Sequence, residues 1–104
     1  MVIPPRIYKI KLHPKVLNED SKLFDERAKE KIKKKCKELL STHPEEAGTP
    51  LRDELKGYFK LEIFSKYRII YKIKKEEVFV FILAVGIRRD FEVYEEAIKR
   101  LKQR

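Results

Sequence analysis

Arg68 and Arg88 are the residues whose types and placement point most directly to chemistry. The stretch VGIRRDFEVYEEA (Val85 to Ala97) follows the most apolar run of the chain and passes from Gly86 through paired arginines, an acid and an aromatic to Tyr94. Arg88 therefore stands just past the end of an apolar strand, where side chains converge at a sheet edge. Arg68 opens the preceding strand, which runs antiparallel, so its start lies beside that end. The two guanidinium groups can approach one another without any long loop. A fixed pair of guanidiniums is what a phosphate undergoing transfer needs: planar forks that hold its oxygens and stabilise charge as it develops. Lys60 and Tyr94 complete a small set near this edge. The plainer account is ordinary sheet-surface charge with a tyrosine capping the core.

A larger basic cluster lies in RAKEKIKKKCK (Arg27 to Lys37). Its Lys31, Lys33, Lys34, Lys35 and Lys37 are either the solvated face of an amphipathic helix or a grip on phosphate backbone that reads no bases. Arg52, Lys56, Lys72 and Arg89 are further basic positions. The 104 residues carry 26 Lys and Arg against 17 Asp and Glu, a net charge of +9, and the pI is near 9.7. Such an excess favours RNA, DNA or an acidic protein as partner, without choosing among them. His13 and His43 are far apart, and neither has a cysteine or a second histidine at ligand spacing, so neither a metal site nor a cofactor is expected. Cys36 is the single cysteine. It cannot form an internal disulfide, and it sits on a helical pattern as a small buried hydrophobe.

These side chains need elements to hold them. From Arg6 to His13, Ile7, Lys9 and Lys11 alternate with Tyr8, Ile10 and Leu12, a strand signal preceded by Pro4-Pro5 and closed by Pro14. Leu23, Ala28, Ile32, Cys36, Leu39 and Leu40 recur at helical spacing, with Ser21 and Asp25 available as N-caps. His43-Pro44 ends that helix, because the residue before proline is pushed out of helical geometry. Lys15 to Lys22 reads either as a short helix or as an extended lead-in, and Pro44 to Pro50 as a loop. From Phe59 the period becomes two: Phe59, Leu61 and Ile63 against Lys60, Glu62 and Phe64, then Tyr67, Ile69, Tyr71 and Ile73 against Arg68, Ile70 and Lys72. Glu76-Glu77 turns the chain into VFVFILAV, which is apolar on both faces and reads as a covered central strand. Glu92 to Lys102 is helical, with Val93, Ala97, Ile98 and Leu101 on one face. The order β-α(α)-β-β-β-α describes a single α+β domain: a small, mainly antiparallel sheet with its helices packed on one face.

Burial sets the register of the first hairpin. A two-residue loop at Ser65-Lys66 would bring Glu62 onto the face of Ile69. A three-residue loop, Phe64 to Lys66, pairs Ile63 with Tyr67 and Glu62 with Arg68, and only this keeps the apolar set together. Lys60, Glu62 and Arg68 then share the charged face of the sheet, which is expected to lie open.

Hydrophobic residues make up 42% and charged residues 41% of the chain, a small core under a densely charged surface rather than a disordered or membrane protein. The longest apolar run falls far short of the roughly 20 residues that span a bilayer. No signal-peptide pattern opens the chain, so a cytoplasmic location is expected. Asn18 and Gln103 are the only side-chain amides while Lys and Glu abound, a pattern shared with thermophile proteins.

The stretch GYFKLEIFSKYRIIYKIKKEEVFVFILAVGIRRDFEVYEEAIKRL resembles the C-terminal half of the RelE toxins of bacterial and archaeal toxin–antitoxin modules. The most specific parts are YRIIY (Tyr67 to Tyr71), VGIR (Val85 to Arg88) and EVYEEAIKRL (Glu92 to Leu101). The preceding TPLRDELKG is similar to the lead-in of the wider RelE/ParE superfamily, and the N-terminal strand and lysine-rich helix are similar in layout only. The resemblance implies a RelE-like fold and a toxin that enters the ribosomal A site and cuts messenger RNA there without metal. The 2′-hydroxyl would attack its own 3′-phosphate, leaving a cyclic phosphate and a free 5′-hydroxyl. It further implies that Lys60 is the base, that Arg68 and Arg88 handle the phosphate and the leaving oxygen, and that Tyr94 orients the nucleotide. The basic residues named above would touch RNA or the ribosome. A toxin monomeric alone would join a cognate antitoxin in a hetero-oligomer, the antitoxin covering or displacing the last helix.

This sequence departs from the family at Glu62, where a second lysine is usual. A lysine acts as a base near neutral pH only when desolvation or nearby positive charge lowers its pKa from about 10.4, and a carboxylate two residues away opposes that. Glu62 itself is the alternative base. Two other functions stay open: a ParE-like toxin that poisons DNA gyrase and cuts no RNA, and a basic RNA-binding domain without chemistry. The joint presence of Lys60, Arg68, Arg88 and Tyr94 favours the RelE type over the ParE type.

Overall fold

The computed structural model describes residues 7–88 and 91–103; Arg89, Arg6 and Pro4-Pro5 lie outside the described residues. Strands β1 (Lys9–Leu12), β2 (Thr49–Pro50), β3 (Phe59–Ile63), β4 (Tyr67–Lys74) and β5 (Phe79–Ile87) form one sheet in the order β1-β5-β4-β3-β2. The β1–β5 pair is parallel and the other three pairs are antiparallel. In the β3–β4 hairpin Ile63 pairs with Tyr67 and Glu62 with Arg68. This register puts Leu61, Ile63, Ile69 and Tyr71 together in one core, as burial demands. Phe64 and Ser65 close the turn at φ of 54° and 53°, the left-handed region that tight hairpins need and that side chains other than glycine's resist.

The helices are α1 (Pro14–Asn18), α2 (Glu26–Leu40), α3 (Pro44–Ala47) and α4 (Glu92–Lys102), with 3₁₀ turns at Asp20–Leu23 and Asp53–Leu55. Pro14 and Pro44 each open a helix, where the missing amide hydrogen has no intrahelical partner to lose. Thus Lys15 to Lys22 is helical rather than extended, and the expected loop after Pro44 holds a turn of helix and the edge strand β2. Asp25 caps α2 by accepting from the Ala28 amide at 2.8 Å. One face of α2 buries Ile32, Cys36 and Leu40. Burial pushes the Cys36 thiol up to about 12, so it stays neutral as a small core hydrophobe.

The helices cover both faces of the sheet, which corrects the expected one-face arrangement. α2 packs with Leu61, Ile63, Ile69, Tyr71, Val80 and Ile82 in one core. α4 packs on the other side, where Val93 and Ala97 meet Ile70, Leu83, Ala84, Leu55 and Tyr58. The cause lies in β5, whose residues are apolar on both faces and leave neither face stable in water. A bulge between Ile70 and Tyr71 lets Leu83 and Ala84 serve the second core together.

Arg100 is buried in α4 at a position on the same face as Val93 and Ala97. Its guanidinium donates to both carboxylate oxygens of buried Asp20, at 2.7 and 2.6 Å, and to the Leu83 carbonyl at 2.9 Å. The same carboxylate accepts from the Val85 amide at 2.8 Å. This bidentate clamp ties the last turns of α4 to the 3₁₀ turn and to β5.

Candidate active site

The far end of the α4-covered face gathers the chemical residues. β3 supplies Lys60 and Glu62, β4 supplies Arg68 at its start, Arg88 follows the end of β5, and Tyr94 comes from the first turn of α4. Arg68 sits opposite both Glu62 on β3 and Gly86 on β5, so hairpin register alone places it centrally. Beyond β5 the chain is held by the Arg88 amide donating to the Lys66 carbonyl at 2.8 Å. Gly86 allows α4 to come close: a Cβ there would lie 2.7 Å from the Cβ of Val93. The missing side chain thus brings Tyr94 over the strands.

Glu62 is the centre of the cluster. Its Oε2 accepts from Arg88 Nε at 2.6 Å and from Arg68 Nη2 at 3.2 Å, while Lys60 Nζ lies 3.9 Å from Oε1. Partial desolvation works against this carboxylate. Hydrogen bonds from Arg88 and Arg68, with the charges of both, outweigh that effect and hold its pKa below the ordinary value. The Arg68 guanidinium stacks 4.8 Å from the centroid of the Tyr94 ring. The Arg68 side chain is only 11% exposed, and its Nε is buried without a hydrogen-bond partner among the described residues. The Arg88 side chain, at 52%, remains open to an incoming ligand. Three cations around one acceptor make a seat for an anion, and a carboxylate of the chain itself now fills it.

Of the residues expected from sequence, Lys60, Glu62, Arg68, Arg88 and Tyr94 come together. Lys31, Lys33, Lys34 and Lys37 are exposed on α2, on the opposite side of the sheet, and Lys35 is 3.9 Å from Glu38. Arg52 and Lys56 flank the 3₁₀ turn whose Leu55 packs on the α4 side, and Lys72 lies 5.5 Å from the Tyr58 ring. Among the described residues no three His, Cys, Asp or Glu side chains gather as metal ligands. The Asp20–Arg100 clamp escaped sequence reading: helical spacing puts Arg100 on the face of Val93 and Ala97 but does not point to Asp20, 80 residues away.

Comparison with known proteins gives a consistent picture. The profile of a family described as the ParE toxin of type II toxin–antitoxin system, parDE, matches residues 10–90. The mRNA interferase toxin RelE of Escherichia coli strain K12 is 37% identical over 93 residues, which covers 75% of this chain and 93% of the relative. Among solved structures, a chain of the toxin–antitoxin complex RelBE2 from Mycobacterium tuberculosis superposes with a TM-score of 0.72 at 29% identity, covering 82% of this chain and 95% of that one. An arginine double mutant of E. coli toxin RelE in the free state superposes with a TM-score of 0.71 at 31% identity, covering 91% and 98%.

Proposed function

Because this chain belongs to the RelE/ParE superfamily of type II toxin–antitoxin toxins, as a RelE-type member, we propose that it cuts messenger RNA on the ribosome. The observation that carries the reading is the convergence of Arg68 and Arg88 on one anionic group, at 3.2 and 2.6 Å, with Lys60 and Tyr94 beside them. A scissile phosphate would take the place of the Glu62 carboxylate. Lys60, as the free amine, removes the proton of the 2′-hydroxyl, whose oxygen attacks the 3′-phosphorus. The bond from phosphorus to the 5′-oxygen breaks, giving a 2′,3′-cyclic phosphate, and the departing oxygen takes up a proton to become a 5′-hydroxyl. Arg68 and Arg88 stabilise the charge that builds on the phosphoryl oxygens and the leaving oxygen. Tyr94 orients the reacting nucleotide. The protein would act in the cytoplasm, where ribosomes are. Its other partner would be a cognate acidic antitoxin, for which a charge of +9 is suited.

Primer extension on messenger RNA after induced expression tests this directly: discrete cuts within codons are expected. Arg88→Ala should lower cleavage about a hundredfold, roughly 3 kcal/mol of transition-state stabilisation, with ribosome binding nearly intact. Lysine at this position should not fully rescue, because it lacks the planar fork. Equal loss of binding and cleavage would make Arg88 a docking residue. The match to the ParE profile keeps one rival in view, a gyrase inhibitor, under which no cuts appear and supercoiling activity falls.

A further inference from the structure

α4 covers only part of its face of the sheet. It packs over Ile70, Leu83 and Ala84, with half-buried Phe81 at the edge of that core and its ring 6.0 Å from that of His13, and beyond them three strands continue with side chains in register. Lys9 pairs with Phe79 and Phe79 with Lys74; one step along, Lys11 pairs with Phe81 and Phe81 with Lys72. Each row sets a phenylalanine between two lysines, on the face that carries Lys60 and Arg68. Lys9, Lys11 and Lys74 are exposed, and Lys72, Phe79 and Phe81 are half-buried. The Lys11 ammonium lies 4.0 Å from the centroid of the Phe79 ring. None of the four lysines pairs with a carboxylate among the described residues.

Lysines on a strand face often do no more than keep a surface soluble. Here an aromatic ring sits at the centre of each row, and no acid answers the flanking cations. Ammonium groups on both sides of a ring can hold phosphates while the ring receives a base, and base stacking outweighs the exposed cation–π contact that it displaces. An acidic peptide would use the lysines and leave the rings idle, and the paired bases of a duplex could not reach them. We propose that this open part of the sheet is a binding track for single-stranded RNA, with a base on Phe79 and phosphates on the lysines beside it. Along β4, Lys74 stands about 20 Å from Arg68 with buried Ile70 under α4 between them, so the track lies beside the cluster around Glu62 on the same face of the sheet. The assignment deepens the messenger-cutting reading and rests on it for the identity of the bound strand.

A fluorescein-labelled 2′-O-methyl oligouridylate tests the track apart from cleavage, because its 2′-oxygen carries no proton to lose and cannot attack. Anisotropy titrations without ribosomes are expected to show saturable binding that Phe79→Ala weakens about tenfold or more. Changing Lys9, Lys11 and Lys74 together to Gln should weaken binding and reduce its logarithmic salt slope by about 2, at about 0.7 for each lost phosphate contact. This triple variant decides the matter if Phe79→Ala does not fold. Unchanged affinity in folded variants overturns the track. Oligonucleotide binding that survives while polyglutamate binding is lost would overturn it too, making the face a protein dock. Intact oligonucleotide binding by a protein that makes no cuts in messenger RNA supports the track and removes the cleavage reading alone.

Discussion

In the proposed cleavage, Glu62 would control how readily a phosphate enters the site. Its carboxylate is held by both arginines, so a substrate must displace an internal anion from the groups that would bind it. The same bonds lower its pKa, which makes it a weak proton acceptor and a poor general base near neutral pH. Glu62→Lys is therefore expected to raise single-turnover cleavage, since it frees both guanidiniums and restores the family's residue. A folded, ribosome-binding variant without activity would instead identify Glu62 as the base. The pH profile separates the two in the same way. A wild-type rate that still climbs above about pH 8 fits an amine base, and a plateau far below that fits a carboxylate. Stability should carry the opposite signature. A folded pKa below the unfolded one means the pairing stabilises the protein above about pH 4.3 and loses that contribution as pH falls through the lowered value. Urea unfolding of wild type and Glu62→Gln should differ at neutral pH and converge below that window.

At the level of elements, the position of α4 depends on one clamp and one glycine. Breaking a buried ion pair on one side leaves an uncompensated charge in the interior, which costs about 3–5 kcal/mol. Asp20→Asn is expected to destabilise the fold by about that much in urea titrations, and to loosen Tyr94 from Arg68, read as a loss of cleavage even at saturating protein. A variant with stability lost but turnover intact would limit the clamp to a structural role. The four longer strands, the register of the β3–β4 hairpin and the bounds of α4 were legible in the sequence, because period-two burial leaves one workable pairing there and because Val93 and Ala97 keep helical spacing; the edge strand β2 and the parallel pairing of β1 with β5 were not. The faces that the helices cover were not. VFVFILAV already demanded two covers, but helical periodicity shows only that a helix has an apolar face, not which side of a sheet receives it. Arg100 was hidden for a related reason, since a charged residue on an apolar face looks like an interruption until Asp20 arrives from a distant turn. That Lys60, Glu62, Arg68, Arg88 and Tyr94 gather at one end of the sheet was legible as a set of residues. The Glu62 bonds to both arginines were not, because they depend on the path of the chain past Ile87.

Across the whole molecule, the positive charge divides between two sides. The lysines of α2 lie behind the sheet, away from the cluster around Glu62, so they can hold a large polyanion without touching the reacting phosphate. Neutralising Lys31, Lys33, Lys34, Lys35 and Lys37 should weaken ribosome binding gradually and flatten its salt dependence, leaving cleavage at saturating protein unchanged. A binding curve that ignores these changes would return them to the role of a solvated surface. The two cores on opposite sides of the sheet have a further consequence. Each is sealed by its own helix, and β5 belongs to both. The molecule is thus a wall clad on both sides and pinned by one clamp: stripping α4 would expose Leu83 and Ala84 and leave buried Asp20 without Arg100, while α2 went on protecting Ile69 and Tyr71.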